Sequence, residues 1–351
     1  MKSARIVGVT TLTAGKTPLL LNQHFDVVIV DEAGQISQPA LLGALAHARQ
    51  FILVGDQQQL PPIVKSQSAA SNGYSISLLQ RLAEKWGTTK LTLQYRMNSD
   101  ICLLCNKLVY NDALQPVNVS VASRSLSLDE GVLNGFLETH RAAGGADEGD
   151  DWVCEAVLPD RRVVFLDTDS LGDHLESMVL SKRRTGVAET ETGTGTETGA
   201  AGTTTTRGCK KTNRTEVKIV SKIVKSLEIL NVPMDTVGII APYRSQIAAL
   251  TSDEHLGKLK VGSGLEISTV DSFQGRDKDV VIISFVRSNR ERSVGQLLND
   301  ERRLNVAFSR AKSKLIMVGS GKTMEGPKSL KMGKVMKVIR EKGWIVPIGK
   351  L

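Results

Sequence analysis

The chain alternates short, continuously apolar runs with helix-favouring stretches, and this alternation limits its folds more than any other feature. The runs are rich in β-branched residues, which is typical of parallel strands covered on both faces. They are Phe25–Val30, Phe51–Val54, Arg162–Leu166, Val237–Ile240, Val280–Phe285 and Leu315–Val318. The stretches between them include Pro39–Ala48, Ser75–Glu84, Thr215–Leu230 and Arg244–Ser252. We therefore predict an α/β fold with parallel sheets, in which ligands bind beyond the carboxyl ends of the strands.

Two segments do not follow this alternation. Residues 185–206 consist mainly of Thr and Gly and have almost nothing to bury, which predicts a disordered insertion. Residues 117–157 include an acidic run and are predicted to form a loop-like excursion. The length of 351 residues predicts two domains at about 150 residues each.

The charge balance favours a polyanionic partner, because the formal net charge is +8. Aromatic residues make up only 4% of the chain, so surfaces that stack on bases must be few. No apolar run approaches the roughly 18 residues of a membrane helix, and no signal peptide is evident, which predicts a soluble intracellular protein with no membrane partner. The basic segment 328–342 predicts a final helix with a solvated lysine face; guidance of nucleic acid or nuclear targeting is the alternative.

Cys102 and Cys105 form a CxxC pair in a predicted helix. A structural zinc site would need a second pair at similar spacing, and the chain has none. Buried, reduced thiols are therefore the predicted state of this pair.

The strongest local motif is FDVVIVDEAGQ, Phe25–Gln35, in which a buried strand delivers two carboxylates to its carboxyl end. Asp31 at such a place can hold Mg²⁺ beside nucleotide phosphates, and Glu32 can orient or deprotonate the attacking water. The alternative is a solvated acidic pair, which is common at strand ends.

Two further motifs lie in the first third of the chain. In FILVGDQQQLPPIV, Phe51–Val64, a glutamine at the polar tip can hydrogen-bond a γ-phosphate and report its loss; the alternative is a simple turn, because Gly, Asp and Pro form turns. In LTLQYRMN, Leu91–Asn98, Tyr95 can stack on a base and Arg96 can reach a phosphate. On their own, a buried tyrosine and a surface arginine would explain this second motif better.

The last third of the chain contains ISTVDSFQGRDKDVVIISFVRSN, Ile267–Asn289, and ERRLNVAFSRAKSKLIMVG, Glu301–Gly319. Arginines surround an apolar helix face in the second of these, and an arginine here can act as an arginine finger across a domain cleft. The alternative is an ordinary basic helix terminus.

Taken in order, these motifs resemble the superfamily 1 helicases. DEAGQ, GDQQQLPP, QYRM, TVDSFQGRDKD and RRLNVAFSRAK resemble motifs II, III, the arginine-bearing segment, V and VI of the branch that includes the nonsense-mediated decay helicase. Within that branch, QYRMNSDICLLCNKLVY and VGQLLNDERRLNVAFSRAKSKLI are most similar to the eukaryotic DNA replication helicase–nuclease family. The resemblance implies two RecA-like parallel-sheet lobes of the P-loop NTPase fold, with the incomplete first lobe over residues 1–90 and the second over residues 91–351.

The resemblance also implies roles for individual residues. Asp31 would coordinate Mg²⁺, Glu32 would activate water, and Gln59, Arg96 and Arg310 would contact the γ-phosphate of ATP. Tyr95 would stack on the base, Asp277 would lie near the ribose beside Gly275, and Gln35 and Gln274 would couple the nucleotide site to movement. The residues that would contact single-stranded nucleic acid are Thr10, Pro242, Tyr243 and Thr269.

A glycine-rich phosphate loop, GxxxxGK[ST], is the family feature that we do not find in the chain. Two GKT triplets occur, but Gly15–Thr17 has Thr10 where the first glycine belongs, and Gly321–Thr323 has Ile316 there. We therefore expect the chain to begin after the phosphate loop of a longer helicase. We also expect the isolated chain to hydrolyse ATP poorly or not at all, because phosphoryl transfer depends on positioning.

The resemblance predicts the C-terminal part of an ATP-dependent 5′–3′ DNA helicase that moves on single-stranded DNA in replication and repair. It implies ATP and Mg²⁺ as cofactors, replication and repair proteins as partners, and the nucleus as the location. Two alternatives stay open: an RNA helicase of the same branch, and a non-catalytic fragment that binds nucleic acid.

Overall fold

The computed structural model describes residues 4–20, 22–143, 151–172, 175–180 and 209–351. A parallel sheet of six strands dominates it, and a separate parallel pair of strands lies in the first 90 residues. The strands are β1 Phe25–Val30, β2 Ala48–Leu53, β3 Leu93–Gln94, β4 Gln115–Pro116, β5 Val163–Asp167, β6 Ser177–Leu180, β7 Cys209–Thr212, β8 Val237–Ala241, β9 Glu266–Thr269, β10 Lys278–Ser284, β11 Ala311–Gly319 and β12 Ile345–Pro347.

The helices connect these strands in the way that parallel sheets require. They are α1 Thr11–Ala14, α2 Gln38–Leu45, α3 Gln67–Ala69, α4 Leu78–Trp86, α5 Ser99–Cys105, α6 Val119–Ala122, α7 Glu130–Ala143, α8 Asp151–Val157, α9 Arg214–Ile229, α10 Arg244–Ser252, α11 Glu254–Gly262, α12 Val270–Phe273, α13 Gly295–Leu298, α14 Glu301–Phe308, α15 Gly321–Met324 and α16 Leu330–Glu341. Short 3₁₀ turns span Ala33–Gln35 and Met234–Thr236, and π-helical turns span Ala70–Tyr74 and Asn106–Tyr110.

The large sheet has the strand order β12-β5-β11-β10-β8-β9, and every neighbouring pair is parallel. Its strands are covered on both faces, as their apolar runs predict. In β5, Val164 and Leu166 join the hydrophobic core on one face, whereas Val163 and Phe165 join the core on the other. The prediction of an α/β fold with a parallel sheet is therefore confirmed.

The β1–β2 pair is less well covered than its sequence predicts. Ile29 is 68% exposed and Ile52 is 51% exposed, so the expectation that these two strands are buried on both faces is wrong for the structure described. The strand β2 also begins at Ala48, three residues before the predicted start, and α2 ends at Leu45 rather than Ala48. Arg49 and Gln50 are exposed, so polar residues fit this strand and conceal its beginning in the sequence.

The loop predicted over residues 117–157 is wrong, because the described part of this region holds three helices, α6, α7 and α8. The last of them is almost wholly buried, with Trp152, Val153 and Ala156 in the core under the large sheet. The reason is tertiary: α8 is too short to show a clear helical period, and it is held by packing on α9 and β5.

Two other predictions concern the insertion and the final helix. The Thr- and Gly-rich residues 185–206 lie outside the described residues. The segment 328–342 does form a helix, α16, whose Met332, Val335 and Ile339 are buried. No helix in the described ranges combines the length and the apolarity needed to cross a membrane. The domain bounds 1–90 and 91–351 stay a prediction, although the β1–β2 pair lies in the first range and the six-stranded sheet lies in the second.

Candidate active site

Asp31 and Glu32 directly follow β1, at the carboxyl end of the strand, and both are exposed. Glu32 has a left-handed backbone conformation with φ 52° and ψ 34°, which is strained for a residue other than glycine. Its amide donates to Asp31 Oδ1 at 2.8 Å, and Gln35 Nε2 donates to Glu32 Oε2 at 2.6 Å. The turn therefore holds the Glu32 carboxylate by a hydrogen bond from the amide side chain that follows it.

The loop after β2 lies against this acidic turn. A Cβ on Gly55 would lie 3.0 Å from the amide nitrogens of Ala33 and Gly34, so any other residue would push the two backbones apart by a few tenths of an ångström. In the same loop, Asp56 Oδ1 accepts the amide of Gln58 at 2.8 Å, and Asp56 Oδ2 accepts Gln59 Nε2 at 3.2 Å. The two motifs that follow β1 and β2 are thus brought together.

The second wall of the site is a cluster of charged side chains around Asp277, most of which come from the last third of the chain. Arg96 Nε and Lys312 Nζ each lie 3.3 Å from Asp277 Oδ2, and Arg96 Nη1 donates to the carbonyl of Ser309 at 3.4 Å. Partial burial acts to raise the pKa of Asp277, but the charges of Lys312 and Arg96 outweigh it and lower the pKa. Asp277 is therefore the anionic counterion of two basic side chains.

Arg310 lies beside this ion cluster and is 2% exposed. Its Nε donates to the carbonyl of Val306 at 3.1 Å, and its Nη2 donates to Ser309 Oγ at 3.1 Å. Burial, followed by the nearby positive charge of Arg96, lowers the pKa of Arg310 to about 10, whereas Asp277, Cys105 and Glu32 act to raise it.

Two residues that the sequence analysis missed connect the walls. Tyr110 Oη donates to Asp56 Oδ2 at 2.5 Å, and Asn305 Nδ2 donates to Tyr110 Oη at 2.8 Å and to the carbonyl of Gln58 at 3.1 Å. Neither residue has a local signal for this contact, because a polar side chain within a helix does not reveal its partner. Both lie in stretches that carry the helicase resemblance, Tyr110 at the end of QYRMNSDICLLCNKLVY and Asn305 in RRLNVAFSRAK, and that is the hint that the sequence offers.

The remaining predicted nucleotide-site residues lie near these walls. Tyr95 is 70% exposed next to Arg96, which leaves its ring accessible for stacking. Gln274 and Gly275 precede Asp277 in the turn between α12 and β10, and Gly275 has a positive φ of 76°. The Gln274 Nε2 atom is buried and has no hydrogen-bond partner among the described residues.

Three of the four predicted nucleic-acid contacts share one edge of the large sheet. Pro242 and Tyr243 directly follow β8, and Thr269 is the last residue of β9, paired opposite Ala241. Thr10 lies elsewhere, at the N-cap of α1, where its Oγ1 accepts the amide of Thr13 at 3.3 Å. The structure thus groups the contacts after β8 and β9 and places Thr10 beside the smaller sheet's helices.

The second GKT triplet is not a phosphate loop in this structure. It begins the four-residue helix α15, and its amides already have carboxylate partners. The Gly321 amide donates to Asp167 Oδ1 at 3.0 Å, and the Lys322 amide donates to Asp169 Oδ2 at 2.7 Å. A phosphate would have to displace two anionic side chains that occupy its position.

The first GKT triplet fails for a different reason, because its amides are used within a backbone turn. The amides of Lys16 and Thr17 both donate to the carbonyl of Thr13, at 3.1 and 2.9 Å. No cradle of free amides therefore surrounds this triplet.

The CxxC pair lies in α5, and both thiols are buried. Burial raises the pKa of Cys102 to about 11 and also raises the pKa of Cys105. The described residues contain no cluster of metal-ligating side chains. These thiols pack as small apolar side chains, in agreement with the predicted burial.

The parallel sheets and the strand-end cleft define a P-loop NTPase-like fold of the helicase type. The chain belongs to the AAA domain family: one family model described as an AAA domain matches residues 74–322, and a second with the same description matches residues 1–67. This assignment confirms the resemblance to superfamily 1 helicases that the motifs indicate.

The similar proteins share one description, DNA replication ATP-dependent helicase/nuclease. The chain is 34% identical to the DNA replication ATP-dependent helicase/nuclease DNA2 of Saccharomyces cerevisiae, over 100% of this chain and 21% of that protein. It is 37% identical to human DNA2 over 90% of this chain and 27% of that protein. It is also 37% identical to JHS1 of Arabidopsis thaliana, over 88% of this chain and 20% of that protein. The chain thus spans about a fifth to a quarter of the length of these relatives.

Similarity to solved structures is slight. An arterivirus nonstructural protein 10 (helicase) in complex with DNA matches with a TM-score of 0.39 and 14% identity, over 90% of this chain and 43% of that one.

Proposed function

We propose that the chain is the C-terminal motor region of an ATP-dependent DNA helicase of the helicase–nuclease type, which moves 5′ to 3′ on single-stranded DNA in replication and repair. The observation that carries the proposal is a contact between distant motifs: Asn305 Nδ2, on the helix that precedes Arg310, donates to the carbonyl of Gln58, in the loop after β2, at 3.1 Å. The names of the similar proteins, all DNA replication helicase/nucleases, support the choice of DNA.

The walls of the cleft supply some of the groups that triphosphate hydrolysis needs; the phosphate loop, which we do not find in the chain, is not among them. Asp31 has an exposed carboxylate at the end of β1, and its oxygens suit Mg²⁺, which prefers oxygen ligands. When bound, Mg²⁺ neutralises charge on the β- and γ-phosphates of ATP. Glu32 accepts a proton from the attacking water or orients it, and the hydrogen bond from Gln35 holds its carboxylate in place.

The basic wall acts on the charge that develops during transfer. Arg310 and Arg96 would stabilise the γ-phosphate, and Gln59, which Asp56 holds by a hydrogen bond, would register its loss. Asp277 holds Arg96 in the cleft and lies where the resemblance places a ribose contact. Tyr95 would stack on the base.

Single-stranded DNA would lie along the carboxyl edge of the large sheet, on Pro242, Tyr243 and Thr269. Tyr243 is positioned there by its surroundings, with Lys211 Nζ 6.0 Å from its ring centroid. Contacts of this kind bind the DNA backbone and provide affinity without sequence preference. A protein with this activity would act in the nucleus, together with replication and repair proteins.

The test uses the full-length gene product rather than the 351-residue chain, with and without single-stranded DNA. Glu32→Gln should lower the DNA-stimulated kcat for ATP by about 100-fold or more, which is the scale of a lost general base, while the Kd for DNA stays within about twofold. Arg310→Lys should also lower kcat, because lysine keeps the charge but loses the planar fork. The controls are Glu138→Gln and Arg340→Ala, which change exposed residues of the same type far from the cleft.

Substrate and polarity are tested on matched oligonucleotides. We expect tighter binding to DNA than to RNA of the same sequence, and unwinding of duplexes that carry a 5′ single-stranded tail. Equal stimulation by RNA, or unwinding only from 3′ tails, would contradict this part of the proposal. Wild-type protein that binds DNA without any ATP turnover would instead support a non-catalytic role.

A further inference from the structure

The polar residues Asp56, Tyr110 and Asn305 form a continuous hydrogen-bonded path across the cleft. Asp56 follows β2, Tyr110 ends the π-helical turn after α5, and Asn305 lies in the middle of α14. In the described part of the chain, the bonds of Tyr110 and Asn305 to Asp56 and Gln58 are the side-chain hydrogen bonds that join residues before 90 to residues after it. The side-chain hydrogen bonds between the two sides of the cleft are therefore confined to one small polar contact.

Asp56 is the centre of the loop 55–60. One of its oxygens accepts the amide of Gln58, and the other accepts both Gln59 Nε2 and Tyr110 Oη. Burial and the neighbouring Asp56 charge raise the pKa of Tyr110, so the phenol keeps its proton and acts as the donor. The same carboxylate thus binds the proposed γ-phosphate sensor and the tyrosine from the other wall.

An apolar contact supports the hydrogen bonds. Leu60, at the end of this loop, is 7% exposed and packs in the core on one face of the large sheet, together with Met97, Ile101 and Leu108. The loop is therefore attached to the second wall at both its polar and its apolar side chains.

The path continues from Asn305 to the arginines. The carbonyl of Asn305 accepts the amide of Ser309 at 2.9 Å. Ser309 Oγ in turn accepts Arg310 Nη2 at 3.1 Å, and the carbonyl of Ser309 accepts Arg96 Nη1 at 3.4 Å. Because α14 is a regular helix, a displacement of Asn305 moves Ser309 and both guanidinium contacts with it.

We infer that Tyr110 and Asn305 are positioning residues that fasten the loop 55–60 to α14, so that Gln59 and Arg310 move as one body when the cleft changes. The inference rests on the proposed function for the roles of Gln59 and Arg310. Neither Tyr110 nor Asn305 touches the proposed nucleotide position; each acts through a group that does. Loss of the γ-phosphate at Gln59 is thereby transmitted to the helix that carries the arginine finger.

The attachment is tested by hydrogen exchange on the chain itself, without nucleotide. Tyr110→Phe removes one hydroxyl and keeps the ring, and we expect the amides of residues 56–60 to exchange at least tenfold faster. Tyr74→Phe is the matched control: Tyr74 is 50% exposed, and its change should leave this loop within twofold of wild type. Unchanged exchange of the loop in Tyr110→Phe would overturn the inference. A uniform rise in the exchange rate over all peptides would also overturn it, because that result indicates a merely structural residue.

The transmission is tested by ATPase kinetics on the full-length gene product that is used to test the proposed function. Tyr110→Phe should lower the DNA-stimulated kcat at least fivefold, with the KM for ATP within twofold, because the hydroxyl does not bind ATP. Asn305→Ala should have a similar effect, and the double variant should lose little more than either single one, since both break the same path. Fully additive losses, or a raised KM with unchanged kcat, would overturn the inference. A wild-type protein without turnover would contradict the proposed function, while the exchange experiment would still decide the attachment.

Discussion

At the scale of single residues, the most unusual group outside the cleft is Glu216, which is wholly buried at the start of α9. Its carboxylate accepts hydrogen bonds from Ser284 Oγ at 2.6 Å, from the Val286 amide at 2.8 Å and from Asn213 Nδ2 at 3.3 Å. Val286 has a positive φ of 70°, which a β-branched residue rarely adopts. Glu216 therefore stabilises a strained turn directly after β10.

Burial raises the pKa of Glu216 from its ordinary value of 4.5 to about 8, although the bonds from Ser284 and Val286 act to lower it. Between these two pH values, the folded state keeps a proton that the unfolded state has released. The free energy of unfolding must therefore fall as the pH rises through this window.

We predict that Glu216→Gln removes this pH dependence. Between pH 5 and 8, the wild type should lose on the order of 3 kcal/mol of stability relative to the variant. Urea denaturation at several pH values measures the difference, and Glu138→Gln, an exposed change, should follow the wild-type curve. A wild type and a Glu216→Gln variant with parallel stability curves would show that this carboxyl has an ordinary pKa in the folded state.

The residue scale also shows which candidate residues a sequence can offer. Asp31, Glu32 and Arg310 could be proposed because they stand in contiguous motifs next to strands and helices with clear patterns. Tyr110 and Asn305 could not be identified, because their importance depends on partners 54 and 195 residues away. A polar side chain within a helix is ambiguous until its neighbours in space are known.

At the scale of elements, α8 is the clearest failure of prediction. Its seven residues follow an acidic run, and most of them are buried against several elements rather than along one helical stripe. Lys314 adds to its attachment, since Lys314 Nζ donates to the carbonyls of Leu158 and Arg161 just after the helix, at 2.7 and 2.6 Å. Non-local packing and a buried lysine thus stabilise an element that local propensity does not favour.

We predict that α8 is essential for the stability of the large-sheet core. Trp152 is 2% exposed, and its Nε1 donates to the carbonyl of Lys350 at 3.3 Å. Trp152→Ala should cost about 3 kcal/mol or more, which is the range for a buried tryptophan. Trp86→Ala is the control, because Trp86 is 71% exposed and its loss should cost under about 0.5 kcal/mol. Equal chemical-denaturation midpoints for the two variants would contradict the buried position of α8.

At the scale of the whole molecule, the six-stranded sheet and the β1–β2 pair differ in how well they are protected from solvent. The central strands β8, β10 and β11 are almost wholly buried between helices, whereas β1 and β2 form an isolated pair with partly exposed apolar residues. A two-stranded sheet with little covering has few contacts to lose when it opens.

We predict that the two sheets open independently. Amides in β1 and β2 should exchange with solvent at least 100-fold faster than those in β10, which corresponds to a difference in opening free energy of roughly 3 kcal/mol. Hydrogen exchange followed by mass spectrometry measures both sheets in one experiment. Equal protection of β1 and β10 would mean that the structure opens as a single cooperative unit.

The amino-acid sequence alone determined the parallel α/β architecture and the motifs that end its strands, because apolar runs and strand-end residues are local features. Only the tertiary structure decided which strand ends share a cleft, that α8 is buried, and that Tyr110 and Asn305 connect the cleft walls. These properties arise from contacts between residues far apart in the chain, and no local pattern specifies which distant partner a side chain will meet.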